Sequence, residues 1–591
     1  MDSSNTRHRI NQPPAASQWS LLLLLGTALA ILAGCSTAHH RKKADEEAYA
    51  IIAEVEKHVF GKASDFTIDT RYSHRDPEDI LSPEIIEERQ EIGAIKINLP
   101  EALKMAAEND RNFQTQRENL YLKALTLSER RYAFSPQFLG TTDQTLTRES
   151  DGDVKGDIDS RVQVSKFMKS GGRLSGAIAN DLLRYFTGNP RREAVNILTL
   201  NFSQPLLRGR GREVAAESLT QAEREVIYEI RKFTQFQRDF AADVVSSYFS
   251  LLQSKDSIRN NYRNLQSRKK NRERAEAQLK ARDGFLGSPK DRDLAVQSEL
   301  NSRNSYITGI GSYEGAINRF AQNTLNLPIG TKIFLDDSTF DELEKVGLLP
   351  VDITLEEGYE LALEHFLPLI SDIDRFEDSK RKIGVAASQL KTGLNFSSSA
   401  SLNWDKEENY VQFDVEQFTA NAGLEIDLPF NRHSERNSYR QATIAFERGI
   451  RNLALALDSK RSEIDDGLRS LNTQRESYKI ELLGVTVAER RVMEQEARAE
   501  AGNVDQQTLI DAQDELISKQ NSKTKAIVDY LNLRLDLLLA LGTIDTTVDR
   551  FWLKTPELVR GDQPAFISTD MSKLLSEELP APEQIFAEPA L

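Results

Sequence analysis

At 591 residues the chain is too long for one ordinary core, so several domains or an elongated form are expected. A net charge of −15 argues against general nucleic-acid binding. Mean hydropathy is −0.49, and no long apolar run follows residue 34, so no transmembrane helix is expected beyond it.

The N-terminus reads as a targeting segment, residues 1–34. Arg7, His8 and Arg9 form a weakly basic start, and Leu21 to Leu32 is an apolar stretch too short to span a bilayer comfortably. It ends in Leu32-Ala33-Gly34-Cys35, and Cys35 is the one cysteine of the chain. Small residues before the cut fit a signal peptide, and the position of the cysteine resembles a bacterial lipobox. Cys35 is then the lipidation site, the acyl chain being a palmitate-type anchor, and Ser36 is compatible with sorting to the outer membrane. The plain alternative is a free thiol in an ordinary signal sequence. One cysteine leaves no intrachain disulfide. Residues 35–96, charged and with scattered prolines, read as a tether in which Ala44 to Val59 makes one short helix.

An internal repeat follows. Ile97/Ile353, Leu99/Leu355, Glu101/Glu357, Ala106/Ala362 and Glu108/Glu364 share one offset. A strand ending in proline recurs, Leu198 to Pro205 against Ala422 to Pro429, and so does a hairpin tip, Gly287 against Gly502. Each copy reads helix, strands, long helix, tip, long helix. The first copy is placed at 97–330, a linker at 331–350, the second copy at 351–545 and a proline-rich, extended or mobile tail at 546–591. In the second copy Ile450, Leu457, Ile464, Leu471, Tyr478, Val485 and Val492 recur every seven residues, which predicts a coiled-coil seam. In the first copy the same period is carried by Ile230, Val244, Leu251, Ile258, Leu265 and Leu279, with breaks at Gln237 and Arg272.

The strands alternate. Leu394, Phe396, Ser398, Ala400, Leu402 and Trp404 lie on one face; Asn395, Ser397, Ser399, Ser401 and Asn403 lie on the other. Ala420 to Leu428 alternates likewise. Such strands suit a membrane barrel with a wet lumen or a soluble sheet with one solvated face. The lipobox and the long helices, which have no other core to join, favour the barrel. The first copy adds a hairpin, Val162 to Ile178, centred on Gly171-Gly172, and this hairpin is expected to project from the outer surface.

These features resemble the TolC-like outer-membrane efflux family, in its lipid-anchored form. The resemblance covers about residues 97 to 545. It rests on the two-copy layout, on Ser203-Gln204-Pro205-Leu206-Leu207-Arg208-Gly209 and Leu428-Pro429-Phe430 at the strand-to-helix junctions, on Ala501-Gly502 with Leu509-Ile510-Asp511-Ala512-Gln513 at the second tip, and on Tyr530-Leu531 through Leu541-Gly542. It implies a mainly α fold with a β-barrel portion. Long antiparallel coiled-coil helices would form a periplasmic tunnel, and four strands per chain would share a twelve-stranded outer-membrane barrel in a homotrimer. It further implies a passive, gated conduit in a tripartite efflux or type I secretion system, docked through its tips to a periplasmic adaptor and an inner-membrane pump of RND, ABC or MFS type.

The resemblance also names sites. Asp511 matches a position where acids ring the tunnel entrance, and Asp514 lies one turn on; both are periplasmic-gate candidates. The family's companion acid position holds Thr508, and its basic and tyrosine partners are replaced by Val504 and Ala499. Gly284, Gly287 and Gly502 are candidate partner contacts at the tips, or turn residues alone. The cluster Arg208, Arg210 and Arg212 reads as a rim of charge and not a nucleic-acid site. His39-His40 is too short for a metal site. No nucleophile with a base, phosphate loop or Cys/His ligand spacing stands out, so no enzyme, cofactor or metal is expected. The alternative from another class is a structural periplasmic coiled-coil lipoprotein without a pore, against which the alternating strands speak. A surface enzyme on a stalk lacks a catalytic constellation.

Overall fold

A computed structural model describes residues 37–90, 93–148, 150, 152, 154–185, 192–280, 288–405, 417–428, 430–501, 505–554 and 556. The targeting segment, Cys35, Gly284, Gly287 and Gly502 lie outside the described residues. The chain forms two compact units, each assembled from both halves of the sequence: Met1–Ile68, Glu118–Ile230 and Thr392–Pro429 in one, Asp69–Arg117, Arg231–Lys391 and Phe430–Leu591 in the other.

The first unit is built on an antiparallel sheet of six strands: β2 (Gln137–Arg148), β3 (Val154–Phe167), β4 (Arg173–Tyr185), β5 (Arg192–Pro205), β7 (Gly393–Asp405) and β8 (Phe418–Asp427), in that spatial order. Turn chemistry fixes the β3–β4 register. Gly171, at φ +94°, donates to Met168 O, and Met168 donates to Gly172 O, both at 2.8 Å. A Cβ on Gly171 would stand 2.8 Å from Gly209 O, so only glycine fits. Helix α1 (Thr37–Phe60) buries Ala48, Ile51, Ile52 and Val55. It is tied to α4 (Arg111–Tyr132) by Tyr121 Oη to Asp45 (2.6 Å), Ser128 Oγ to Glu47 (2.5 Å) and Arg131 to Glu54 (3.0 Å). The tether helix therefore starts earlier than its apolar pattern suggests.

This sheet corrects the expected architecture. It contributes six strands, not four, so a twelve-stranded barrel of four strands per chain is overturned. The extra hairpin does not project. β3 and β4 sit inside the sheet, paired on both sides. Within the chain the sheet is open, with β2 and β8 as its edges and nearly every edge position exposed. The reading as transmembrane β-strands falls with it. Register places Thr142, Ser160, Asn180 and Asn196 in one row on the face that also carries Phe138, Ile158, Ile178 and Leu198. Thr142 and Ser160 are hydrogen-bonded at 3.3 Å, and Asn180 donates to Asn196. The expected fold, a helical tunnel closed by a shared barrel, becomes long helical hairpins with an open six-stranded sheet. The gated-conduit reading depended on that barrel and is set aside with it. No helix among the described residues is long and apolar enough to cross a membrane.

In the second unit the repeat shows as one device used twice. Helix α3 (Leu99–Asn109) is capped by Asn98, whose side chain accepts from Glu101 N while Glu101 accepts from Asn98 N. Helix α9 (Leu355–His365) has the same box from Thr354 and Glu357. A short parallel pair, β1 (Ala94–Ile97) with β6 (Lys332–Leu335), is pinned by Tyr248 Oη, which donates to Ile97 O (3.2 Å) or Asp336 O (3.0 Å). Burial raises the Tyr248 phenol above its usual value. The long helices are α6 (Glu217–Lys280) and α11 (His433–Glu500), the latter 68 residues, about 100 Å at 1.5 Å per residue. Their returns are α7 (Pro289–Arg319) and α12 (Gln506–Leu541). Ile464, Leu471, Tyr478 and Val492 of the seven-residue pattern are buried, but Ile450 is 47 % exposed. There α11 instead stacks Phe446 on Phe376 of α10 (Leu367–Gln389), centroids 5.5 Å apart.

The start of the tail is packed, contrary to its composition. Phe551 and Trp552 are buried. Fully buried Arg534 donates to Trp552 O (3.3 Å) and Lys554 O (2.5 Å), and burial lowers its guanidinium to about 10. Helix α12 ends at Gly542, φ +72°, where a Cβ would stand 2.4 Å from His365 C and O. Gly542→Ala is expected to lower unfolding free energy by on the order of 2–4 kcal/mol, combining left-handed strain with a backbone clash. Equilibrium urea unfolding followed by helicity tests this; a midpoint within error of wild type would show that the helix end is free to shift.

Candidate functional site

The site candidates fall where α6 and α12 run side by side toward the hairpin tips. Helix α12 starts with Asp505 as N-cap, its side chain accepting from Gln507 N (3.4 Å) and from Thr508 Oγ1 (3.1 Å). Thr508, which replaces the family's companion acid, is thus a cap partner. Asp511 is exposed and accepts from Gln507 Nε2 at 2.7 Å, one turn back on its own helix. Asp514 is engaged differently. It accepts from Arg268 Nη2 of α6 at 2.6 Å, and the same nitrogen lies 3.0 Å from Ile510 O. Arg268 is 1 % exposed, and its Nε donates to Asn264 Oδ1 at 3.3 Å. Burial lowers this guanidinium below its usual value, while the Asp514 charge and hydrogen bond act in the opposite direction.

These contacts belong to a longer polar seam. Moving away from the tip, Gln513 Nε2 donates to Ser267 Oγ (2.7 Å), Asn260 Nδ2 to Asn521 Oδ1 (3.1 Å) and Thr524 Oγ1 to Asp256 Oδ2 (2.7 Å). Toward the tip, Gln278 Nε2 donates to Ala499 O at 3.3 Å. Within the first hairpin, Arg272 of α6 holds Glu276 (2.8 Å) and Glu299 of α7, and Asn264 meets Ser302 (3.4 Å). Beyond Asp256 the interface turns apolar, through Tyr248, Leu251 and Leu252 of α6 and Ile527, Leu531 and Leu535 of α12.

Both sequence-predicted acids are exposed, and they differ in partner: Asp511 is bonded within its own helix, while Asp514 is tied across to the other hairpin. Ala499 is buried and supplies a backbone acceptor. Arg208 donates to Asp427 at the end of β8 (2.7 Å), and Arg210 to Leu206 O (3.4 Å), so two of the three clustered arginines have protein acceptors. Arg268 was not singled out from the sequence. The usable signal is a polar seven-residue repeat, Asn264, Asn271 and Gln278, running beside it on α6. Among the described residues no group of three or more His, Cys, Asp or Glu side chains is placed to hold a metal ion.

No family model matches this sequence, and no curated protein matches it. Solved structures do resemble its fold. The open-state MtrE outer-membrane channel of Neisseria gonorrhoeae aligns with a TM-score of 0.54 at 16 % identity, over 75 % of this chain and 88 % of that one. The CmeC outer-membrane channel of Campylobacter jejuni gives 0.53 at 13 %, over 75 % and 85 %. The outer-membrane protein VceC of Vibrio cholerae gives 0.53 at 14 %, over 75 % and 96 %. At these identities the likeness is one of fold.

The seam makes a differential prediction. Asp514→Ala removes the carboxylate from a buried guanidinium; because Asp514 itself faces solvent and Arg268 keeps the Ile510 and Asn264 oxygens, the expected cost is about 1 kcal/mol. Asp511→Ala is expected to stay within about 0.5 kcal/mol of wild type, since it loses only an exposed contact. Thermal and urea unfolding of both variants checks this, and equal effects would contradict the geometry.

Proposed function

We propose that this chain is a structural coiled-coil lipoprotein of the bacterial cell envelope, anchored at the outer membrane through Cys35 and carrying no pore of its own. The observation that carries the reading is the pairing of two long hairpins, one with a buried seven-residue seam at Ile464, Leu471, Tyr478 and Val492, with a sheet that stays open at β2 and β8. Helices of this length and charge are suited to bridging distance through water, with stability drawn from their seams. The fold likeness to outer-membrane channels supports an outer-membrane and periplasmic setting.

As partners we propose further copies of the chain in a homotrimer, a periplasmic adaptor at the tips, and through it an inner-membrane pump. Gly284, Gly287 and Gly502 would let the tips reverse tightly and bring their backbone close to the adaptor. Asp511, exposed beside the second tip, would take a basic side chain of that partner. Asp514 would hold the tip in register through Arg268.

Three measurements test the reading. Purified protein in planar bilayers is expected to leave the current at baseline; steps of reproducible conductance would overturn the pore-less reading. Radiolabelled palmitate is expected to label wild type and not Cys35→Ser. Mild crosslinking in membranes is expected to give species up to three chains, and adaptor crosslinks from tip positions that decline in Asp511→Lys.

A further inference from the structure

Helices α10 and α11 enclose a groove of about 520 Å³ that the structural reading does not use. We propose that it binds an amphipathic anion, a molecule with one oxyanion group and a short apolar body.

The argument starts from charge. The chain carries −15, yet none of the residues lining this groove is acidic, and two of them, Arg375 and Arg448, are arginines. The nearby acids are directed elsewhere. Glu447 pairs with Arg440 at 3.7 Å, Glu377 with Lys380 at 2.7 Å, and buried Asp378 with Arg381 at 2.7 Å. Arg375 shares exposed Asp372 at 3.2 Å. Arg448 makes no ion pair or hydrogen bond with another described residue. Two guanidiniums from facing helices line the groove, one of them uncommitted, and guanidinium donors suit the oxygens of a phosphate, sulfate or carboxylate.

The floor points to the rest of the ligand. Gly449 leaves the groove open between the helices; a Cβ there would stand 3.6 Å from Ser379 Oγ and 3.8 Å from Phe376 Cδ2. Behind this floor and outside the lining, Phe376 stacks on Phe446 at an interplanar angle of 22° and holds the two helices together, while Ala445 lies in the lining itself. Ile444 adds an aliphatic wall. The hydroxyl of Ser379 donates to Phe376 O at 2.6 Å and keeps its lone pairs for a donor. Gln441 adds an amide. The volume falls in the usual range for small-molecule sites, roughly 300–1,000 Å³, and a mixed apolar floor with a few polar groups is their common lining. A bare inorganic anion would leave that floor unused.

The test is titration calorimetry on the full-length protein with three probes: octyl phosphate, inorganic phosphate and octyl glucoside. Octyl phosphate is expected to saturate one site per chain, binding at least about tenfold more tightly than either other probe, as a charge-assisted hydrogen bond and a buried alkyl chain require together. Arg448→Ala is expected to weaken octyl phosphate by about tenfold or more, and Arg448→Lys by less, because the point charge stays and the fork is lost. Gly449→Leu fills the floor and is expected to abolish binding. Equal binding of octyl glucoside would remove the anion, and equal binding of inorganic phosphate would remove the apolar body. Wild-type affinity in Arg448→Ala would overturn the site. Should Gly449→Leu lose helicity, the arginine pair still decides, since Arg448 is exposed and supports no packing.

Discussion

The helical unit depends on the broad apolar face that the last turns of α12 bury, with only the stripe through Asp529, Asn532 and Asp536 turned toward water. From Ala526 to Leu541 this helix buries Ile527, Val528, Tyr530, Leu531, Leu535, Leu537, Leu538 and Leu541. An apolar face this wide has to be covered by other elements. The surrounding elements fit that need: α3 and α9 with their paired caps, the β1–β6 ribbon, and the turn at Phe551 and Trp552. One cation sits in this core. Arg534 is fully buried, and its guanidinium is accommodated because the chain after α12 folds back and presents the carbonyls of Trp552 and Lys554. Tyr530 Oη reaches Leu349 O at 2.8 Å in the same way. The buried polar groups thus specify where the linker and the chain end must pack, while the leucines supply the driving force.

Much of this was legible in the sequence. The matched segments at Ile97 and Ile353 foretold two equivalent helix starts, and the capping boxes at Asn98/Glu101 and Thr354/Glu357 are their physical content. Gly171-Gly172 marked a real hairpin turn. Strand count was misread because the two copies were compared with each other. The second copy lacks β3 and β4, so a comparison of the two copies makes the extra hairpin look like an appendage. Its β3 in fact alternates, with Asp157, Asp159 and Arg161 on one face and Ile158 and Val162 on the other. Register is a long-range property: β5 pairs with β7 about two hundred residues away, with Leu198 opposite Leu402 and Leu200 opposite Ala400, and no local pattern states it. The packed start of the tail was missed because its anchors are carbonyls, and a backbone acceptor has no sequence signature.

At the candidate site, helical arithmetic placed Asp511 and Asp514 one turn apart, and that spacing holds. The arithmetic does not reveal what each faces. A three-residue step rotates the side chain by about 60° from its neighbour. Both carboxylates stay exposed, but that rotation is enough to keep Asp511 on its own helix and bring Asp514 to Arg268. The arginine lies 246 positions earlier in the chain, so the pair became visible only with the two hairpins side by side.

The seam between α6 and α12 combines two kinds of cohesion. Away from the tips, apolar side chains resist separation in proportion to the area they hide, and they tolerate small sliding movements. Toward the tips, the contacts are directional pairs: Thr524 with Asp256, Asn521 with Asn260, Gln513 with Ser267, Asp514 with Arg268. Each contributes little net free energy in water, because the same groups are satisfied by solvent when apart. Each is specific, because a slip by one residue replaces every partner and leaves a buried guanidinium facing no carboxylate. A single polar residue in a coiled-coil seam is known to select register at a cost in stability. Here four pairs repeat that device between Gln513 and Thr524. The apolar half therefore keeps the hairpins together, and the polar half determines which residues meet at the tips. The position of Asp511, beside the second tip, is a consequence of that register.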